Sequence, residues 1–193
     1  GNHKSATNEA GAALASGLMQ EDVAHGYSLP LPTSCIDKLA PFGSIAPLGV
    51  QLQNTLNELG ETIPKWRMTH DQSFPAEGSK TSVNLRTIAE ELPECRYGRA
   101  LIRLLHLIVG MRARYPTTPI LIGKFDLKAA YRRAHLSPET ALESMTVLDD
   151  LLEVSLRLTF GGSSCPPQWC CISETICDLA NDIMHCPAWN PDE

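Results

Sequence analysis

Apolar runs in this chain are short, because fourteen prolines and thirteen glycines punctuate its 193 residues, and proline both removes a backbone donor and halts a helix. The longest, around Leu104 to Met111 and Pro119 to Gly123, fall well short of the ~20 residues that cross a bilayer as a helix. Several short elements around one core are therefore expected, with no membrane partner. Hydrophobic residues at 43% and charged residues at 20% exclude wholesale disorder, and the length suits one good core rather than two large domains. The first residues, Gly1-Asn2-His3-Lys4, lack the layout of a signal peptide. A soluble, intracellular chain with a fragmentary or processed start is the expectation.

Periodicity divides the chain into a mixed α+β pattern. Ala12, Leu14, Leu18 and Met19 recur at roughly helical intervals between Asn8 and Ala24, with His25-Gly26 as the stop. Pro30, Pro32, Pro41 and Pro47 then confine regular structure to short pieces. Val50 to Leu59 reads as a short helix or strand, Ile63 to Met68 as a strand, Asp71 to Lys80 as a loop, and Asn84 to Glu91 as a short helix. The clearest helix spans Arg99 to Arg114, with Leu101, Leu104, Leu105, Leu107, Ile108 and Met111 forming a wide apolar stripe. Ile120 to Leu127 follows as a buried central strand that delivers one carboxylate, Asp126, at its end. Ser137-Pro138-Glu139 reads as a turn or helix start. Met145 to Leu148 and Leu151 to Phe160 read as a hairpin around Asp149-Asp150, and Gly161 to Ser164 as a loop. Pro166-Pro167 opens a helix whose Trp169, Ile172, Ile176, Leu179 and Ile183 are expected to share one buried face.

The formal charge of −6 conceals a division. Between positions 96 and 133 lie nine cations (Arg96, Arg99, Arg103, Arg112, Arg114, Lys124, Lys128, Arg132, Arg133) and a single anion, Asp126. Such a stretch is a candidate polyanion face, although solvated basic segments read the same way. Seven cysteines, five of them from Cys165 onward, lack the paired spacing of a zinc site and read as thiols.

The order of parts then acquires a meaning. Lys65-Trp66-Arg67 lies on an early strand, Lys124-Phe125-Asp126-Leu127-Lys128-Ala129-Ala130-Tyr131 follows a basic helix, and Leu158-Thr159-Phe160-Gly161-Gly162-Ser163-Ser164-Cys165-Pro166 leads into another. From about residue 45 to 185 this order resembles the reverse transcriptases of retroelements, with wording closest to tyrosine-recombinase-type retrotransposons. His70-Asp71-Gln72-Ser73-Phe74 and Ser82-Val83-Asn84 resemble the fingers loop of that family.

The resemblance implies an α+β fold of reverse-transcriptase-like fingers and a partial palm over residues 49–193, preceded by an N-terminal extension over 1–48. It implies that Asp126, with the carbonyl of Leu127, binds the catalytic magnesium ions. Lys65 and Arg67 would hold the triphosphate of a deoxynucleoside triphosphate, Tyr131 would exclude a ribose 2′-hydroxyl, and Gly161 and Gly162 would border the nucleotide. Lys128, Arg132 and Arg133 would meet the backbone of an RNA or DNA template-primer. Simple packing for Tyr131, solvated charge for Lys65 and Arg67, and an ordinary loop for the two glycines are the alternatives.

One family feature is missing. Polymerases of this kind have a third palm motif, aromatic-x-Asp-Asp, and the adjacent pair here, Asp149-Asp150, precedes the second motif with Val147 where the aromatic would stand. Hard cations in a two-metal site need several carboxylates. The chain is thus expected to be inactive alone, a fragment of a longer polyprotein or a decayed copy. The other expectation is a non-catalytic module that retains nucleic-acid binding or is inert.

Overall fold

The computed structural model describes residues 1–75, 80–95, 100–123 and 126–190. It is mixed α+β, with small antiparallel sheets, and it divides into two compact units: residues 1–91 with 129–166, and residues 92–128 with 167–193.

The first unit opens with α1 (Lys4–Thr7) and α2 (Glu9–Ala24). The Asn8 side chain caps α2 by accepting from Gly11 N at 2.7 Å, satisfying one of the donors that every helix start leaves open. Gly26, at φ 67°, ends the segment in the left-handed conformation that glycine adopts without strain. Next comes β1 (Ser28–Pro32), followed by the one-turn α3 (Ile36–Leu39). Pro30 and Pro32 are tolerated in β1 because it is an edge strand, paired on one side only, to the segment Leu151–Ser155. The strands β4 (Met145–Leu148) and β5 (Leu151–Ser155) form the expected hairpin, with Asp149 at φ 51° in its turn. Regular pairing of β5 stops at Ser155 rather than running to Phe160; beyond it, Arg157 makes an isolated bridge to His135.

A second hairpin joins β2 (Leu48–Leu56) to β3 (Thr62–His70). At its tip Asn57 Oδ1 accepts from the backbone N–H groups of Leu59 and Glu61, and Gly60 takes φ 78°. One apolar cluster gathers Ala15 and Met19 of α2 with Leu48, Val50, Met68 and Leu148; another joins Ala141 of α6 (Pro138–Leu142) to Met145, Leu152 and Val154. Residues 1–48, expected as an extension, contribute directly to this unit. Asn2 Oδ1 accepts from Leu48 N, Ser5 Oγ accepts from Val50 N, and β1 supplies a sheet edge. The short helix α4 (Val83–Arg86) starts at Ser82, whose hydroxyl accepts from Leu85 N, and a single 3₁₀ turn over Ala89–Glu91 takes the place of the rest of the helix expected to Glu91.

Glu153 is the polar exception in the β1-β5-β4 sheet. Its side chain is fully buried on β5, and the hydroxyls of Ser28 on β1 and Thr146 on β4 donate to its two oxygens at 2.5 and 3.1 Å. Burial holds its carboxyl above the ordinary range, the two hydroxyls opposing that shift only in part.

In the second unit, α5 (Ala100–Arg114) ends where Arg112 donates to the carbonyls of Pro116 and Thr118 at 2.8 and 3.1 Å. The helix α7 (Cys165–His185) carries Pro166 and Pro167 in its first turn, where their missing donors cost nothing. Two expectations are corrected here. Ile120 to Gly123 and Asp126-Leu127 form no strand, and Leu121 is 91% exposed; Lys124 and Phe125 lie outside the described residues. An apolar run becomes a buried strand only when neighbours pair with it, and no described strand belongs to this unit. The apolar stripes of α5 and α7 are real in periodicity but not buried: Leu101, Leu105 and Leu107 are exposed, as are Ile172, Ile176, Leu179 and Ile183. No helix of the described residues is long and apolar enough to cross a membrane.

Candidate functional site

The site is built on β3 of the first unit. Strand alternation puts Lys65 and Arg67 on one face of β3. Arg67 is held from two sides. Its Nε–H donates to Oε1 of Gln53 on β2, and its guanidinium lies over the ring of Phe160, 5.0 Å from the centroid. Tyr131, in the 3₁₀ turn Ala130–Arg133, meets the same ring with centroids 5.1 Å apart at 36°. Three residues widely separated in sequence thus share one aromatic platform. Lys65 is exposed nearer the hairpin tip.

The segment after Phe160 is fastened to β3 by backbone. His70 N donates to Phe160 O at 2.8 Å, and Gly161, at φ 129°, approaches so closely that a Cβ would lie 1.7 Å from His70 O. At Gly162 a Cβ would lie 2.6 Å from Oε1 of Gln72. Both glycines therefore have a packing reason within the protein. Asn84 clamps the loop, donating from Nδ2 to Gly161 O at 2.9 Å and accepting from Ser163 N at 2.8 Å. Gln72 donates to the hydroxyls of Ser144 and Thr159 from a buried position.

Beside this platform lies a cavity of about 620 Å³ lined by Arg67, Gln51, Thr69, His70, Phe160 and Gly161 among others. His3 and Asp71, which also line it, pair at 3.0 Å. His70 is fully buried, and neither ring nitrogen has a partner among the described residues. Burial, aided by the charge of Arg132, lowers its pKa to about 3, so it is a neutral imidazole at physiological pH. Phe160, Asn84 and His70 fall within segments that resemble family motifs, but the resemblance gives none of them a role of its own; the contacts they make here come from tertiary packing.

The remaining expected site residues are distributed differently. Asp126, Leu127 and Lys128 are exposed and belong to the second unit. Arg133 is exposed. Arg132 is turned inward, and its guanidinium pairs with the Asp22 carboxylate of α2 with both side chains largely buried. Arg132 is therefore not a surface contact for a nucleic-acid backbone, because its charge is already committed to Asp22. Burial of Asp22 outweighs the adjacent guanidinium and raises its carboxyl pKa.

The metal question turns on donor chemistry. Asp126 and the Leu127 carbonyl supply one carboxylate and one neutral oxygen, and among the described residues no group of three His, Cys, Asp or Glu side chains is placed to hold an ion. That set does not fit two hard cations. All seven cysteines are free thiols.

Comparison with protein-family models, curated proteins and solved structures finds no match for this chain.

Proposed function

We propose that these residues are the fingers and part of the palm of a retroelement RNA-directed DNA polymerase, and that they hold a deoxynucleoside triphosphate without joining it to a primer. The observation that carries the reading is the convergence of Arg67, Tyr131 and Phe160. Each comes from a different segment whose wording resembles a separate motif of that family, and their meeting in one unit is not required by any of the motifs alone. The cavity alongside offers a charged guanidinium and polar groups suited to a phosphate ester, with an aromatic face suited to a sugar or base.

Nucleotidyl transfer is assigned to the longer parent. In it, magnesium would activate the primer hydroxyl and bear leaving-group charge once further carboxylates joined Asp126; the same polyprotein would have to supply them. Within this chain, Arg67 binds and orients phosphate, and Tyr131 limits the space beside the sugar. Equilibrium titration with a deoxynucleoside triphosphate tests the reading. Saturable binding weakened roughly tenfold or more by Arg67→Ala is expected, from the ~1.5–3 kcal/mol of a charge-assisted hydrogen bond. No saturable binding, or an unchanged affinity in Arg67→Ala, overturns it. Primer extension with magnesium by these 193 residues is expected to yield no product.

The single carboxylate at Asp126 favours one second reading, a module that binds nucleic acid without chemistry. Its expected mark is template-primer affinity that falls steeply with salt; affinity indifferent to salt removes it.

A further inference from the structure

A triphosphate in the cavity beside β3 would meet a lining whose fixed charges cancel. Arg67 supplies one cation and Asp71 one anion, and every other lining residue is uncharged except for two histidines, His3 and His70. A single guanidinium opposed by a carboxylate in the same cavity offers a polyanion little net attraction. His70 does not correct the balance, because burial lowers its pKa to about 3 and it stays neutral between about pH 5 and 8. His3 is the lining group that can.

Its placement is built from several sides. The backbone N–H of His3 donates to Leu48 O at 2.9 Å, and its Nε2 lies 3.0 Å from Oδ2 of Asp71. The carboxylate is itself held, because its Oδ1 accepts from Ser73 N at 3.2 Å. Gly49 leaves room for the ring on β2: a Cβ there would stand 3.3 Å from His3 Cδ2 and 2.8 Å from Thr69 Oγ1. With Nε2 committed to Asp71, Nδ1 has no partner among the described residues. The imidazole is also half-exposed, at 47%, and open to a ligand in the cavity. Imidazole is the side chain whose charge changes between about pH 5 and 8. Protonated, it brings the lining from balance to a net positive charge. Resting on the nucleotide reading, we propose that protonated His3 is the second phosphate-binding cation of this cavity, and that Asp71 is the positioning residue that holds its ring against β2. Nucleotide binding and proton binding at His3 are then linked, each favouring the other.

Titration of the intact 193-residue chain with deoxyadenosine triphosphate at about pH 6 and about pH 8 tests this. The phosphate's own titration is common to every variant, so the ratio of affinities at the two pH values is compared between proteins. That ratio should favour the acid side by roughly fivefold more in the unaltered chain than in His3→Gln, the worth of one half-exposed charge pair. Asp71→Asn should bind more tightly than the unaltered chain on the alkaline side, because Arg67 is then unopposed; a merely structural role for Asp71 would give the reverse. Binding that Arg67→Ala weakens, but whose pH ratio is the same in His3→Gln, overturns this proposal and leaves the nucleotide reading standing. Weaker binding by Asp71→Asn on the alkaline side does the same. Absence of saturable binding at both pH values overturns both.

Discussion

Arg132 separates two accounts of the same residue. As a contact to a nucleic-acid backbone it would be a surface cation, and its loss would change stability by no more than about 0.5 kcal/mol. In the structure its guanidinium and the Asp22 carboxylate form a largely buried ion pair tying the turn Ala130–Arg133 to α2. Arg132→Met keeps much of the side-chain length but strands the carboxylate. Removing one partner of a buried pair costs roughly 3–5 kcal/mol, about a fifth or more of the ~5–15 kcal/mol that holds a typical domain together. With a urea m-value of about 2 kcal/mol/M for a chain of this size, the midpoint should fall by about 1.5–2.5 M. The double variant Arg132→Met/Asp22→Leu replaces both charges with apolar groups and should recover most of that loss, since exchanging a whole buried pair is often close to neutral. Urea unfolding of the four proteins by circular dichroism gives the cycle. If either single variant unfolds within about 0.5 kcal/mol of the unaltered chain, or if the two losses simply add, the buried-pair account of Arg132 is wrong.

Glu153 and His70 make opposite pH signatures. Because the folded Glu153 carboxyl keeps its proton to higher pH than the 4.5 of an exposed one, the stability it contributes is complete at low pH and is lost as pH rises through that window. Glu153→Gln should therefore flatten the alkaline side of a stability–pH curve by up to about 1.4 kcal/mol per unit; an unchanged curve contradicts this. His70 binds its proton more weakly folded than unfolded, so stability present above pH 6.5 is lost as pH falls toward about 3. His70→Leu should be neutral or stabilising at pH 7 and more so in mild acid, as it removes two buried nitrogens without partners; a loss above about 1 kcal/mol at pH 7 would show that they are satisfied. Gly161→Ala should destabilise by at least about 2 kcal/mol, because the new methyl group would collide with the His70 carbonyl at a backbone angle foreign to alanine; thermal melting measures it, and an unchanged midpoint refutes the close approach.

Local signals carried the elements whose neighbours are close in sequence. The Asn8 cap, the Gly26 stop, the hairpin at Asp149-Asp150 and the proline-led start of α7 all obey short-range rules. Burial depends on what lies opposite, and that is where the pattern failed. Ile120 to Leu127 has the composition of a central strand yet finds no described strand in its unit, and the stripes of α5 and α7 have helical period without a described element to cover them. The polar network around Glu153 was illegible for the same reason, since Ser28, Thr146 and Glu153 become neighbours only through the pairing of β1, β5 and β4. In the candidate site, Arg67 and Tyr131 could be nominated by resemblance. The Phe160 ring that unites them, and the inward turn of Arg132, follow from tertiary packing alone.

Whether Arg67, Tyr131 and Phe160 form one nucleotide-binding surface is decided by comparing a deoxyribonucleoside triphosphate with its ribonucleotide counterpart by calorimetric titration, in the unaltered chain and in Tyr131→Ala. Tighter binding of the deoxy form is expected, with that preference abolished when the tyrosine ring is removed and both forms still bound. Equal affinity for the two sugars in the unaltered chain, or a preference that survives Tyr131→Ala, would contradict it.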